Sequence, residues 1–421
     1  MTIYNFKEIS YTNFIIALIV PFLILGPFFP DLIVSLSSIF FLFYVYKNKA
    51  FNYFIQKPLI IFFTFCAYCI LVSIFLAKDI SLSFESSLFY FRIGVFACLI
   101  WFLIEKNKKI LSYFYYALVV CFTILVVDGY IQFFSGSNII NLPVSGDRIS
   151  SFFGTELIMG SYLSRLFPLL FALFLLKKKN SKFEVYYIGV LFITIDVLIY
   201  ISGERAAFFF LNLSTLFIIF LIKKYQKFRL FTFICSLVLI AGVTFAYDKF
   251  FNRMIFESAR GIGLLKESQN KNIFTEAHDS LIKTAYNMFL DKPIFGHGPK
   301  MFRVICKDEK YATGISPCMT HPHNFYIQLL AETGIIGFGF LFSAFTYVLY
   351  CAYRQLKSII LKQKRYLTDY QVCLLAGILI TVWPLSPNGN FFHNWLAIVY
   401  SLPVGFYLHS IYGKNRKNID F

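Results

Sequence analysis

Long apolar blocks alternate along this chain with short, lysine-rich punctuation. Runs such as Ile15 to Phe29 and Leu59 to Ala77 are apolar on every face. A β-barrel strand would instead show about 10 residues of strict apolar and polar alternation. Blocks near the ~20 residues needed to cross hydrocarbon predict membrane-spanning helices at roughly 12–29, 32–46, 58–77, 88–104, 110–134, 157–176, 183–201, 206–222, 230–247, 326–350, 371–386 and 395–412. The expected class is an all-α polytopic membrane protein of about 12 transmembrane helices. Lys7 precedes the first apolar run and no small-residue cleavage pattern follows it, so that run is read as a retained helix.

Positive charge then orients the helices. The clusters at Lys7, Lys47–Lys57, Lys106–Lys109, Lys177–Lys182, Lys223–Arg229, Arg354–Arg365 and Lys414–Lys417 fall on alternate loops. By the positive-inside rule those loops are cytoplasmic, and both termini lie with them. One long polar stretch on the other side divides the chain into helices 1–9 (residues 1–247), a large external loop containing helices (248–325), and helices 10–12 with a cytoplasmic tail (326–421).

Composition agrees, with 58% hydrophobic and only 14% charged residues. The net charge of +17 follows from this loop bias and attracts anionic inner-leaflet lipid. No recognition module accompanies it, which argues against a nucleic-acid partner. Seven of the nine cysteines lie in expected spans as small apolar fillers. Cys306 and Cys318 stand apart in the large external loop, where an oxidising compartment would join them as a disulfide.

Charge at the external ends of spans marks candidate chemistry, because a charged side chain at depth is expensive unless it faces a cavity or partner. Arg92, Arg148, Arg165 and Arg205 occupy such ends on different helices. Snorkelling explains any one of them; their shared face points instead to convergence on one anion. A guanidinium grips phosphate oxygens with two parallel donors, so a phosphate-bearing lipid is the expected ligand. Arg148 lies on a Gly-, Asn- and Pro-rich loop that returns to the membrane. In the large loop, "IFGHG" is accounted for by turn chemistry, and His297 and His278 are assigned surface or structural roles.

The stretch "HPHNFYIQLLAETGIIG" places two histidines around a proline where the tenth span begins. His321 is expected as the N-cap, with Pro322 at the first helical position and His323 in the first turn. The positive end of the helix dipole would keep His323 neutral and able to accept a proton. The competing account gives the pair only capping and anchoring roles. Zinc is disfavoured, because an i, i+2 pair does not share a helical face and no Cys or carboxylate cluster completes it. Glu332 follows about two turns later, and Gly334, Gly337 and Gly339 are read as close-packing positions.

The order "PIFGHGPKMF" then "HPHNFYIQLLAETGIIGF" after a large loop, with "SGER" closing one span, "DRISSFFGTE" upstream and a late "PNGNFFHNW", resembles the O-antigen ligase and O-antigen polymerase superfamily of bacterial inner membranes. The resemblance covers about residues 120 to 405, and the first four spans match only in hydropathy. It implies a GT-C-like glycosyltransferase that needs no metal, nucleotide or other cofactor. The implied donor is a glycan on undecaprenyl pyrophosphate, transferred with inversion to a hydroxyl at the periplasmic face. The acceptor would be lipid A-core in a ligase, or a lipid-linked glycan in a polymerase. Carried over, the catalytic set is His323, Arg148 and Arg205, and either Arg253 or Arg260 supplies a large-loop arginine. Arg92, Arg165, His321 and Glu332 join these last two as candidate substrate-binding residues. The rival from another class is a lipid-linked oligosaccharide flippase, whose fold usually shows paired halves with matching broken helices; no internal repeat is present.

Overall fold

The computed structural model describes residues 6–261, 274–416 and 419–421. The chain runs through α1 (Phe6–Ala17), α2 (Ile19–Leu25), α3 (Phe28–Asn48), α4 (Lys57–Leu76), α5 (Ile80–Leu88), α6 (Phe91–Lys106) and α7 (Lys109–Ser135). After a 23-residue connection, 136–158, come α8 (Met159–Leu176), α9 (Lys182–Ile201), α10 (Arg205–Leu221) and α11 (Gln226–Ala246). The large segment holds α12 (Asp248–Phe250), α13 (Glu257–Gly261), α14 (Glu276–Asp291) and α15 (Phe302–Ile305). The long α16 (Phe325–Ile360), α17 (Asp369–Thr381) and α18 (Asn394–Tyr412) follow. Among the described residues the only β pairing is two isolated bridges within 136–148.

Among the described residues nine helical segments, one of them α5 and α6 taken together, are long and apolar enough to cross a membrane. Shorter apolar helices at Tyr11–Leu25, Arg205–Leu221 and Asp369–Thr381 stand where the remaining three spans were expected. The protein is an integral membrane helical bundle. Helix α8 is its axis: every residue from Leu163 to Leu176 is buried, packed by α7, α9, α10 and α17. The outer helices turn large apolar side chains outward, such as Phe40 and Phe43 on α3 and Phe231 and Phe245 on α11. A water-soluble surface could not carry such patches; lipid tails are as apolar as these side chains.

Arg229 departs from the loop placement expected for it. It is fully buried and reaches across to Asp196 on α9, with Nη1–Oδ2 at 2.9 Å and Nη2–Oδ1 at 3.0 Å. Thr215 on α10 and Ser236 on α11 complete the network. A charge this deep is tolerated because its partner is bidentate and both terminal nitrogens are satisfied; only Nε lacks a partner among the described residues.

Helix α16 is broken at Gly334, where φ is +65°. The carbonyls released by the break are taken from outside the helix. His297 N–H donates to Ala331 O at 3.1 Å, Gly298 N–H to Glu332 O at 2.7 Å and Tyr68 Oη to Thr333 O at 2.7 Å. In return Ile335 N–H finds Pro293 O at 2.8 Å. The "PIFGHG" turn is thus spliced into the span. A Cβ on Gly334 would sit 2.1 Å from Ile294 O, and one on Gly296 2.4 Å from the carbonyl carbon of Glu332. Glycine is required at both positions by close backbone approach, a more specific role than the helix-packing and turn roles expected from sequence.

Candidate functional site

His323 lies just before α16, and the N-cap is Asn324, not His321. The Asn324 side-chain oxygen accepts from the N–H groups of Tyr326 (3.0 Å) and Ile327 (3.2 Å). A carboxamide oxygen reaches these donors more readily than an imidazole, so the helix starts three residues later than expected. Pro322 consequently falls outside the helix, and His323 takes a left-handed conformation with φ +56°. Its carbonyl accepts from Asn388 N–H at 2.8 Å, while Asn324 Nδ2 donates to Pro384 O at 2.7 Å. Two clamps from the 382–393 connection therefore hold this backbone.

Around His323 the structure gathers other imidazoles. The His321 ring centre is 4.1 Å away and that of His278 5.2 Å away, edge to face. Burial lowers the His323 pKa, and the neighbouring His278 lowers it further. The imidazole is held neutral chiefly by desolvation, where the sequence argument had invoked the helix dipole. His321 is pushed down to about 3 by burial, with His323, Arg303 and His393 adding to the effect and the Asn388 backbone opposing it. His393, just ahead of α18, is lowered by burial and by Lys300 and Arg303. Four of the six histidines thus belong to one electrostatic neighbourhood.

Beyond His278 stand the arginines. Burial lowers the His278 pKa, with the Arg205 charge adding to it, so the ring that packs on His323 also lies within electrostatic reach of the start of α10. Arg253, in the turn after α12, donates Nε–H to Gly203 O at 3.0 Å. Gly203 has φ +70°, and a Cβ there would lie 2.5 Å from Arg253 Nε and 3.5 Å from Arg148 Cγ. The glycine of "SGER" is therefore the seat on which two arginines meet. Arg148 donates to Leu157 O at 2.8 Å and keeps a buried Nε without a partner among the described residues. Burial lowers the Arg148 pKa; Arg253 and Arg205 push the same way, and Glu204 opposes them.

Compensation by acids is incomplete. Glu204 accepts from Gly160 N–H (2.6 Å), Ser161 N–H (3.0 Å) and Ser161 Oγ (3.0 Å), and burial raises its pKa to about 7 despite those bonds and Arg148. Glu257 approaches Arg205 only to 3.9 Å, on the exposed side. Three neighbouring guanidiniums, faced by one buried carboxyl whose charged form burial disfavours and by Glu257 only at 3.9 Å, form a site relieved by an incoming anion.

The loop bearing Arg148 is pinned by the end of α7. Asp128 takes Ile139 N–H at 2.9 Å and Asn138 Nδ2 at 3.2 Å, and accepts from Ser151 Oγ. Gln132 Oε1 takes the N–H groups of Ser150 (3.0 Å) and Ser151 (2.8 Å). These two polar residues, four apart on an otherwise apolar helix, were the available signal for a gripped loop and went unread. His278 was given a surface or structural role and Asn388 and His393 entered only within "PNGNFFHNW"; tertiary structure is what brings all three into the neighbourhood of His323.

The other sequence candidates disperse. Of the two competing large-loop arginines, Arg253 joins the cluster, while Arg260 is exposed on α13. Arg92 is engaged by Asp31 and by Ser35 at 2.8 Å, both on α3. Arg165 is 3% exposed and committed to Thr381 (3.4 Å), Asn388 (2.9 Å) and the Ile380 carbonyl. Glu332 is fully buried, accepting from Phe302 N–H (3.1 Å) and Gln328 Nε2 (3.0 Å), where it fastens the large loop to α16. His297, expected as surface or structural, is buried with Nε2 3.0 Å from Met288 O. Cys306 and Cys318 are joined, with Cα atoms 5.1 Å apart. Among the described residues no group of three or more His, Cys, Asp or Glu side chains is arranged to hold a metal ion.

The geometry of α8, α9 and α10 sets the cluster at one end of the bundle. Gly160 meets Glu204 there, whereas at the opposite end Leu176 meets Phe421 and Lys223 meets Asp369.

Residues 188–342 match the family model described as O-antigen ligase, a stretch that contains Arg205, Arg253, His278 and His323. The chain is also similar to the teichuronic acid biosynthesis protein TuaE of Bacillus subtilis, at 22% identity over 352 residues, covering 81% of this chain and 70% of the relative. The superfamily resemblance carried by the sequence motifs is thus met by both comparisons.

Proposed function

We propose that this chain, an integral membrane protein that matches the O-antigen ligases over residues 188–342, is a glycosyltransferase of surface polysaccharide assembly. Its donor is a glycan on undecaprenyl pyrophosphate, and its acceptor is a hydroxyl on lipid A-core or on a second lipid-linked glycan. The observation that carries this reading is the packing of His323 against His278, which lies within electrostatic reach of Arg205, together with the Gly203 seat where Arg253 meets Arg148.

In the reaction, the acceptor oxygen attacks the anomeric carbon from the face opposite the pyrophosphate. The new glycosidic C–O bond forms as the old one breaks, so the configuration inverts. The acceptor proton passes to the His323 imidazole, a general-base role worth typically ~10²- to 10⁴-fold. The departing undecaprenyl pyrophosphate gathers negative charge, which Arg148, Arg205 and Arg253 receive with preorganised donors. In this scheme guanidiniums do what a divalent cation does in metal-dependent sugar transferases. The cluster faces the periplasm and the basic loops face the cytoplasm with both termini, as the distribution of Lys and Arg supports.

The test is reconstitution in proteoliposomes with lipid-linked donor and either lipid A-core or a second lipid-linked repeat on the same side. Extension of one acceptor assigns ligase or polymerase. Translocation of donor without any transfer would overturn the enzyme reading in favour of a flippase.

A further inference from the structure

Arg165 sits on the most enclosed helix of the bundle and is 3% exposed. Its guanidinium lies between the rings of Phe210 (4.0 Å) and Tyr400 (4.2 Å). Its Nη1 and Nη2 donors go to the Ile380 carbonyl, Thr381 Oγ1 and Asn388 Oδ1, none of which is an anion, and its buried Nε has no partner among the described residues. A cation held only by dipoles and π faces is a costly arrangement, and aliphatic packing would serve the bundle better if stability were its sole purpose.

The contact with Asn388 leads directly to the histidine. Asn388 is 5% exposed; its side chain accepts from Arg165 at 2.9 Å and donates to Ser386 O at 3.2 Å. Its N–H then donates to His323 O at 2.8 Å. His323 needs such a clamp, because a left-handed φ of +56° is unfavourable for a residue bearing a Cβ and persists only when its surroundings enforce it. Arg148 and Arg165, similar in sequence as arginines near the external ends of spans, therefore have different duties: Arg148 faces the anion site, and Arg165 faces the loop.

We propose that Arg165 is a positioning residue for glycan transfer: through Asn388 it fixes the backbone of His323, and thereby the imidazole, at the acceptor hydroxyl. This rests on the proposed general-base role of His323. Donor binding belongs to Arg148, Arg205 and Arg253, so the loss of Arg165 should be felt in turnover and not in donor affinity.

The experiment measures kcat and donor KM in proteoliposomes for Arg165→Met, Asn388→Ala and Asn388→Asp, each in the parent and in a His323→Ala background. A misplacement of about 1 Å can cost about 10²-fold in rate, so Arg165→Met and Asn388→Ala should each lower kcat by up to that factor at nearly unchanged donor KM. Asn388→Asp keeps an acceptor for the guanidinium and should retain most of the activity. In the His323→Ala background none of the three should reduce the residual rate further. A raised donor KM at unchanged kcat, or an equal loss in both backgrounds, would overturn the positioning role. Parent-rate transfer by His323→Ala alone would sink the base role itself, in a separate arm. If Arg165→Met fails to insert or fold, the Asn388 pair decides the question.

Discussion

Replacing Gly203 by alanine probes the arginine cluster without removing any charge from it. Two effects follow from the geometry. A Cβ-bearing residue at φ +70° costs roughly 1–2 kcal/mol in local conformation, a stability effect that leaves the protein folded. The added methyl would lie 2.5 Å from Arg253 Nε, so the guanidinium must leave its bond to the Gly203 carbonyl. A hydrogen bond to a charged group is worth about 1.5–3 kcal/mol. If the displaced Arg253 no longer reaches the departing pyrophosphate, kcat/KM should fall by about 10- to 100-fold, since each 1.4 kcal/mol is tenfold. The assay is transfer from lipid-linked donor in proteoliposomes, run for Gly203→Ala, Arg253→Ala and the double variant. Because one substitution acts through the other residue, the double variant should be no worse than Arg253→Ala alone. Losses that multiply, or a folded Gly203→Ala enzyme at the parent rate, would refute the claim that this glycine seats Arg253.

Other outcomes can be checked independently. A cysteine placed within 177–182 should be shielded from an impermeant thiol reagent in intact spheroplasts and one within 136–146 should react; the reverse pattern would sink the proposed orientation. Closing the loop between Cys306 and Cys318 should stabilise the chain by roughly 2–3 kcal/mol, so thiol titration of the unreduced, denatured protein should find neither residue free. Asp196→Ala leaves Arg229 buried and unpaired and should cost about 3–5 kcal/mol, whereas Asp196→Leu with Arg229→Met should be much milder in thermal unfolding. His321 has a folded-state pKa pushed down to about 3 from an ordinary 6.5, so its contribution to stability is complete above 6.5 and is lost as pH falls toward 3. His321→Asn should flatten the stability profile over that window, and an unchanged slope would count against a buried, neutral imidazole.

What could be read from sequence depended on whether the deciding interaction was local. The apolar blocks revealed the helices because hydrophobic length is a property of each segment alone, and "SGER" and the histidine motif pointed to the cluster. Arg92 and Arg148 look alike in sequence, each near the external end of a span. Only tertiary structure shows that Asp31 neutralises the first while the second meets two more arginines. The same holds for Arg253 against Arg260, seven residues apart, of which the first bonds Gly203 and the second is exposed. The misread cap had a local cause: His321-Pro322 imitates a helix start, but Asn324 is the better acceptor and wins. Arg229 was assigned to a loop because its lysine-rich neighbours hid that its charge is matched by Asp196, 33 residues earlier.

The splice between the "PIFGHG" turn and the break in α16 bears on how such proteins can diversify. Four main-chain groups of the span find their partners in Pro293, His297, Gly298 and Tyr68. In hydrocarbon or at its edge an unpaired backbone group costs several kcal/mol, so neither half can be replaced alone. A large loop exchanged between relatives would therefore have to travel as a cassette with the first part of α16, cut before Pro293 on one side and beyond Ile335 on the other. Hybrids built with a junction between those points should fail at insertion, before substrate choice is ever tested.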